Sequence, residues 1–130
     1  MILVVCVDDN NGIMFNKRRV SKDALLIERL MEIIGNNKLY VSKYSKDLFN
    51  NYKNVITDYN LLGENDYYFL EDEEIKENVF DKIIIYKWNR KYPADTYFEY
   101  SLKNYNLISS HDFKGNSHEK ITEHIYTKEN

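Results

Sequence analysis

The chain has 130 residues and a formal net charge of -3, a length that fits one domain, residues 1–130, built around one core. Its hydrophobic content of 43%, with 15% aromatic residues, supplies enough apolar surface to exclude global disorder. The negative charge argues against a protein that binds nucleic acid or anionic membranes mainly by electrostatics, although local recognition of nucleic acid stays open.

Cysteine usage and the N-terminal residues indicate a cytoplasmic protein. Cys6 is the only cysteine, which leaves no disulfide framework and no cysteine-based metal site. The opening apolar run is interrupted by Asp8 and Asp9 and lacks a preceding basic segment, so it fits neither a signal peptide nor a membrane span. We therefore expect a reducing compartment and no membrane association.

The first third of the chain predicts a strand, a polar loop and a helix. Residues 2–7 form an apolar, β-branched run typical of a strand covered on both faces, and residues 8–12 supply turn chemistry. Ser21 is the candidate helix cap, and two apolar rows at helical spacing follow it up to Gly35. The rows are Leu26, Leu30, Ile33 and Ile27, Met31, Ile34.

Short strands and helical turns are predicted for the rest of the chain. The strands are Leu39–Val41, Val55–Thr57, Tyr67–Leu70, Ile83–Trp88, an extended segment at Tyr97–Tyr100, and the antiparallel pair Leu107–Ser109 and Ile121–Tyr126. Helical segments are expected from Tyr44 to Tyr52 and from the acidic residues 71–74 to near Phe80. The pattern predicts an α/β fold, a three-layer domain with a mixed, mostly parallel central sheet and a C-terminal antiparallel hairpin.

The residues that follow the apolar runs are the first candidates for a site, because open α/β sheets bind ligands beyond the carboxyl ends of parallel strands. They are Asp8, Asp9, Ser42, Lys43, Glu71, Asp72, Asn89 and Arg90. Their four carboxylates could hold Mg²⁺ for phosphate chemistry. We favour the simpler interpretation that the aspartates shape a turn and that residues 71–74 start a solvated helix, and we assign no metal site.

Other polar motifs give weaker signals. The basic residues 17–19 could contact phosphate or an RNA backbone, but without interleaved aromatic residues they are typical of a solvated loop. His118 and His124 belong to no metal-binding motif and are expected at the surface or in the hairpin. The sequence contains no glycine-rich phosphate loop, nucleophile elbow or Cys–His pattern, which leaves covalent catalysis without a candidate.

Two parts of the chain resemble dihydrofolate reductases. DKIIIYKWNRKYPADTYF from Asp81, followed by SLKNYNLISSHDF and NSHEKITEHIYTK, is similar to the C-terminal third of that family. ILVVCVDDNNGIMFN, residues 2–16, is similar to its first strand and the turn into its active-site loop. The resemblance implies a dihydrofolate-reductase-like fold, and it places Asp23 near the acidic residue that holds the pterin and Thr96 at the threonine that supports it.

The same resemblance bears on the cofactor. Residues 42–49 are similar to the family's phosphate segment, with Lys43 and Ser45 in place of arginine and threonine. The family's Gly-Gly turn is replaced at residues 70–72, where side chains obstruct the pyrophosphate of NADPH and carboxylates repel it. The chain is also short between Thr57 and Tyr67, where the adenosine-binding elements would lie. We therefore expect weak NADPH binding and leave the cofactor unassigned.

Three functions follow from these patterns. The first is binding of a small polar or nucleotide-like ligand at the strand ends, without NADPH-dependent reductase activity. The residues expected to bind it are Asp8, Asp9, Asn16, Arg18, Arg19, Lys43, Ser45, Glu71, Asn89 and Arg90. The second is a metal-dependent phosphodiesterase or ribonuclease that uses the acidic strand ends. The third is a protein-interaction module that exposes tyrosines.

Overall fold

The computed structural model describes residues 1–75 and 80–130. The strands are β1 Ile2–Val7, β2 Gly12–Phe15, β3 Arg18–Arg19, β4 Leu39–Tyr40, β5 Val55–Ile56, β6 Tyr67–Leu70, β7 Lys82–Lys87, β8 Thr96–Tyr97, β9 Tyr105–Phe113 and β10 Ile121–Lys128. The helix α1 is Ala24–Ile34, and two short 3-10 helices are Ser45–Phe49 and Tyr59–Leu61. The helical turn expected to end near Phe80 falls largely on residues 76–79, outside the described residues.

The main sheet has seven strands in the order β5-β4-β6-β1-β7-β10-β9. The strands from β5 to β7 are parallel, whereas β10 runs antiparallel to both β7 and β9. The two long apolar runs, β1 and β7, pair from Ile2 with Lys82 to Val7 with Lys87 in the middle of the sheet. The predicted fold class, with its mostly parallel sheet and C-terminal hairpin, is confirmed.

Apolar side chains cover both faces of this sheet because successive residues of a strand point to opposite sides. On one face Val4 packs with Leu26 and Leu30 of α1. On the other face Leu3 packs in a cluster that includes Phe98. Burial of each such side chain contributes about 1.5–3 kcal/mol. Both faces of the sheet are therefore covered by apolar side chains, and the polar groups lie at the ends of the strands.

A second, three-stranded antiparallel sheet has the order β3-β2-β8. Ile13 and Met14 of β2 are buried in the same cluster as Leu3, so this small sheet packs on the side of the main sheet opposite α1. Of this sheet, only the extended segment at Tyr97–Tyr100, which overlaps β8 at Tyr97, was predicted from the sequence. Its strands, GIMF, RR and TY in sequence, carry neither a long apolar run nor the alternation by which strands are recognised.

Helix α1 begins at a different cap from the one predicted. Asp23, in an extended conformation, accepts hydrogen bonds from the amides of Leu25 and Leu26 and is the N-cap, so the prediction of Ser21 is wrong by two residues. The helix ends at Gly35, which has a φ of 59°, as predicted. No helix among the described residues has the length and apolar character to cross a membrane.

Candidate functional site

The carboxyl ends of the parallel strands lie along one edge of the sheet, but the polar residues that follow them have separate tasks. Asp8, after β1, is buried, and its carboxylate accepts hydrogen bonds from the amides of Asn10 (2.9 Å), Gly12 (2.6 Å) and Tyr92 (3.0 Å). The neighbouring Asp9 is exposed. Asp8 therefore fastens the loop after β7 to the loop after β1, which supports its interpretation as a turn former.

Arg19 and Glu71 form an ion pair at the ends of β3 and β6. Arg19 donates through Nε to one carboxylate oxygen of Glu71 at 2.8 Å and through Nη2 to the other at 3.1 Å. The hydroxyl of Ser45 donates to Glu71 at 2.7 Å, and the Arg19 guanidinium lies over the Tyr44 ring. This Arg19–Glu71 cluster, with Ser45, occupies the place where the resemblance puts the cofactor pyrophosphate.

The remaining predicted ligand-binding residues lie at the surface. Asn89 follows β7 with a φ of 60°, and its side chain donates to the carbonyl of Lys120 and the hydroxyl of Thr122, which anchors the final hairpin. Exposed side chains belong to Asn16, Arg18, Lys43 and Arg90. The structure brings Asn16, Arg18 and Arg19 together along a shallow pocket of about 440 Å³.

The acidic strand ends do not gather into a metal centre. Within residues 1–75 and 80–130, no group of three or more histidine, cysteine, aspartate or glutamate side chains is placed to hold a metal ion. Asp72 accepts a hydrogen bond from the hydroxyl of Ser42, while Asp8 and Glu71 have the partners given above. Mg²⁺ would have to displace these partners, which disfavours the phosphodiesterase alternative.

The loop before β10 folds over the N-terminus of α1 and encloses Asp23. One carboxylate oxygen accepts from the amide of Asn116 at 2.8 Å, in addition to the two cap amides. The other accepts from the amide of Ser117 at 2.9 Å and lies 2.9 Å from Nδ1 of His118. Asp23 is 4% exposed, so its charge is satisfied by the chain itself and not by water.

His118 connects Asp23 to two hydroxyl groups. Its Nε2 lies 2.9 Å from Oγ of Ser21 and 3.2 Å from the hydroxyl of Tyr92. The ring stacks on Trp88, with centroids 4.5 Å apart, and is 4% exposed. Asp23, His118, Ser21 and Tyr92 are called the Asp23–His118 cluster below.

The electrostatics of this cluster fix the direction of its hydrogen bonds. Burial alone would raise the pKa of Asp23, but hydrogen bonds from the amides of Asn116 and Ser117 and from His118 outweigh burial and hold that pKa well below its usual range. Asp23 is therefore an anion and an acceptor at neutral pH. A neutral His118 must then carry its proton on Nδ1, which leaves Nε2 as the acceptor for the hydroxyl of Ser21, while Tyr92 donates its hydroxyl proton to Oγ of Ser21 at 3.3 Å.

Thr96 lies in a different environment from Asp23. It is exposed in β8, where it pairs with Met14, and its hydroxyl donates to Asp95 at 3.3 Å. The hydrogen bonds that the described residues make to Asp23 come from α1 and the loop at 116–118. The structure thus does not bring Asp23 and Thr96 together, and the catalytic roles assigned to them stay predictions.

A crevice of about 910 Å³ opens beside the Asp23–His118 cluster. Its wall combines the apolar side chains of Ala24, Ile27 and Leu48 with amide, hydroxyl and charged groups. The polar residues include Lys22, Asp23, Glu28, Asp47, Asn50, Asn51, Tyr52, Asn116 and Ser117. An adjoining hollow of about 20 Å³ shares Lys22 and Ile27 with the crevice and reaches Ser21 and Trp88.

Sequence reasoning missed His118 and the residues of the crevice wall. His118 stands 95 positions from Asp23, and no motif spans such a distance. Gly115 and Asn116 are residue types typical of a turn, but nothing in the sequence indicates that this turn packs on a helix cap. Residues 50–52 follow the 3-10 helix Ser45–Phe49. Their sequence shows no periodic pattern that would indicate a binding surface.

Gly115→Ala is expected to push the loop away from Asp23. A Cβ at this position would overlap the Asp23 carboxylate and lie 2.8 Å from Cδ1 of Ile121, a distance real Cβ atoms do not show. We expect a loss of about 1–3 kcal/mol in the free energy of unfolding, measured in urea. Gly63→Ala, whose Cβ would meet Asp66 at a milder 3.3 Å, serves as control. Equal losses in the two variants would contradict the close approach.

Comparison with known proteins supports the fold. No family model and no curated protein sequence matches the chain. Among solved structures, a dihydrofolate reductase from Enterococcus faecalis, complexed with NADP(H) and RAB-propyl, is similar with a TM-score of 0.71. The match covers 99% of this chain and 96% of that chain at 9% identity. The chain therefore has a dihydrofolate-reductase-like fold, and the resemblance seen in the sequence is confirmed at that level.

Proposed function

We propose that the chain is a divergent dihydrofolate-reductase-like protein that binds a small polar ligand in the crevice and lacks NADPH-dependent reductase activity. The observation that carries this proposal is that both carboxylate oxygens of Asp23 are already hydrogen-bonded within the chain. By resemblance Asp23 stands where the family holds its pterin, yet both of its oxygens accept hydrogen bonds from the loop before β10. A pterin would have to displace that loop. We place the protein in the reducing cytoplasm, which the single Cys6 favours.

The Arg19–Glu71 cluster supports the same proposal from the cofactor side. Glu71 is 8% exposed and paired with Arg19, so a dinucleotide would have to break a buried ion pair to reach the end of β6. Breaking such a pair leaves an uncompensated buried charge, which costs about 3–5 kcal/mol. Asp72 adds a further carboxylate that repels phosphate. The cofactor stays unassigned, and NADPH is a poor candidate.

The wall of the crevice indicates the chemistry of the ligand. Asn50, Asn51 and Asn116 each offer an amide donor and an amide acceptor. The carboxylate of Glu28 is matched in number by the ammonium of Lys22, and Asp23 and Asp47 already have partners in the loop before β10 and in Arg19. A neutral polar ligand therefore fits better than a phosphate, and among nucleotide-like molecules a nucleoside fits better than its monophosphate.

Thermal shift and calorimetry with a panel of small molecules test this function. The panel holds NADPH, dihydrofolate, and several nucleosides beside their monophosphates, each at about 1 mM so that weak binding raises the melting temperature. We expect at least one nucleoside to stabilise the chain more than its monophosphate does, and NADPH to leave the melting temperature unchanged. We also expect no consumption of NADPH when dihydrofolate is added.

Two asparagine variants locate the binding. Asn51→Ala, in the wall of the crevice, should weaken the nucleoside effect, whereas Asn106→Ala, on the exposed strand β9, should leave it unchanged. NADPH-dependent turnover of dihydrofolate, or binding of NADPH at micromolar concentration, would refute the proposal. Equal effects of the two variants would mean that the ligand does not bind in the crevice.

A further inference from the structure

Ser21, His118 and Asp23 stand in one chain of hydrogen bonds. Oγ of Ser21 lies 2.9 Å from Nε2 of His118, and Nδ1 of His118 lies 2.9 Å from Asp23. A hydroxyl, an imidazole and a carboxylate in this order make up the nucleophile, the base and the group that orients the base in acyl-transfer enzymes. We propose that Ser21 is the nucleophile of a hydrolase for small carboxylic esters, with His118 as its general base and Asp23 as the positioning residue.

The orientation of His118 meets what this chemistry requires. Asp23 accepts from backbone amides on both oxygens, so it holds Nδ1–H of His118 and turns Nε2 toward Ser21. Stacking on Trp88 and near-complete burial keep the ring from rotating away. The base is thus held in the protonation and direction that accept the proton of Ser21.

Other nucleophiles near the site are less suitable than Ser21. Oγ of Ser117 lies 3.2 Å from Nδ1 of His118. Because Nδ1 carries the proton, it cannot act as a base for Ser117. Cys6 lines the same hollow, but burial raises the pKa of its thiol and keeps it protonated. Ser21, in contrast, lies next to Nε2 of His118, the nitrogen that can accept its proton.

Ser21 lies in a small hollow beside the crevice. The side chain of Ser21 is half-buried and lines the hollow of about 20 Å³ that adjoins the crevice and shares Lys22 and Ile27 with it. The hollow holds little more than the reacting carbonyl group, so the rest of the ester lies in the crevice. This site accordingly takes esters whose acyl group is short.

The reaction balances with water as its second reactant. Oγ of Ser21 attacks the carbonyl carbon while its proton passes to Nε2 of His118. The bond from that carbon to the alkoxy oxygen breaks, the proton moves from Nε2 to the departing alcohol, and the acyl group stays on Ser21. Water then attacks the acyl carbon and gives a proton to Nε2, which returns it to Oγ as the carboxylic acid leaves.

Tyr92 supplies a donor for the negative charge that develops on the carbonyl oxygen. Its hydroxyl lies 3.3 Å from Oγ of Ser21, and the bond between them is free to shift to the new oxyanion when Oγ becomes bonded to carbon. Loss of one such donor lowers turnover by about 100- to 1000-fold. Tyr92→Phe should therefore slow acylation without removing the nucleophile.

A fluorophosphonate probe tests the assignment on the full chain. The probe should attach covalently to Ser21, as located by peptide mass spectrometry, and labelling should disappear in Ser21→Ala and when the chain is unfolded in urea. His118→Gln should slow labelling by about 100-fold or more. Hydrolysis of p-nitrophenyl acetate should fall in the same variants, while Ser110→Ala, an exposed serine on β9, should behave as wild type.

The possible results separate the assignment from nonspecific reactivity. Ser21→Ala is a small change at a half-buried site, and an unchanged melting temperature will show that its fold is kept. Specific labelling of Ser21 in the folded chain alone supports the proposal. A folded wild-type chain without a Ser21 adduct, or with labelling that persists in urea, overturns it. This outcome does not depend on whether nucleosides bind in the crevice.

Discussion

Asp23→Ala is expected to lower the free energy of unfolding by about 3–5 kcal/mol, the cost of removing one partner from a buried charged network. The substitution removes the N-cap of α1 and leaves Nδ1 of His118 and the amides of Asn116 and Ser117 without an acceptor in a buried place. Urea denaturation followed by circular dichroism measures the loss. The near-ultraviolet spectrum should also change, because His118 stacks on Trp88.

A second capping aspartate provides the control. Asp58 caps the 3-10 helix Tyr59–Leu61 by accepting from the amide of Asn60, but it is exposed. Asp58→Ala should cost about 1 kcal/mol, the ordinary value of a cap. A similar cost for the two substitutions would mean that the contacts between Asp23 and the loop before β10 contribute nothing.

The dependence of stability on pH is a second measurement of the contribution of Asp23. The pKa of Asp23 is lowered by folding, so its contribution to stability is complete above its ordinary pKa of 3.8 and is lost as the pH falls toward the value in the folded chain. Wild type should therefore lose stability steeply below about pH 4. Asp23→Asn should show a shallower acid limb, and identical slopes would contradict the lowered pKa.

Arg29→Met is expected to cost about 3 kcal/mol or more, because it leaves the buried Glu123 without its cation. Arg29 of α1 donates to the two carboxylate oxygens of Glu123 on β10 at 2.7 and 2.9 Å. Glu123 is 1% exposed, and its other partner is the hydroxyl of Tyr86 at 2.9 Å. Thermal and urea unfolding measure the loss.

Two further variants show whether the loss of stability in Arg29→Met comes from the unpaired carboxylate of Glu123. Adding Glu123→Gln to Arg29→Met removes that charge and should recover part of the stability, since an amide still accepts from Tyr86. Asp81→Asn breaks an exposed pair with the N-terminal amine and should change stability by less than about 1 kcal/mol. No recovery in the double variant would assign the loss to packing of the Arg29 stem.

The main sheet was predictable because its strands carry strong local patterns. Residues 2–7 and 83–88 are continuous apolar runs, and both proved to be buried strands near the middle of the sheet. The edge strand β9 runs over nine residues, where only Leu107–Ser109 was predicted, because its side chains are mostly exposed and alternate weakly. The sheet of β2, β3 and β8 was not predicted as a sheet because its strands carry neither a long apolar run nor alternation.

The candidate site was harder to predict because its contacts depend on pairs far apart in sequence. Convergence of the strand ends followed from topology, yet Asp8 and Asn89 were engaged by backbone groups that no sequence pattern displays. Asp23 was singled out only through the resemblance, and its catalytic role stays a prediction. Its partner His118 was expected at the surface or in the hairpin, since a lone histidine in a polar loop gives no sign that it will be buried.

The bonds from Asp23 to residues 116–118 also constrain how the chain folds. They close a loop of more than 90 residues, and contacts of such separation form late because the entropy of ordering the intervening chain must be lost first. The loop is continuous with strand β10, so the pairing of β10 with β7 brings the loop to the helix cap. The Ser21–His118 pair is therefore assembled near the end of folding, and partly folded or truncated chains should carry no reactive serine.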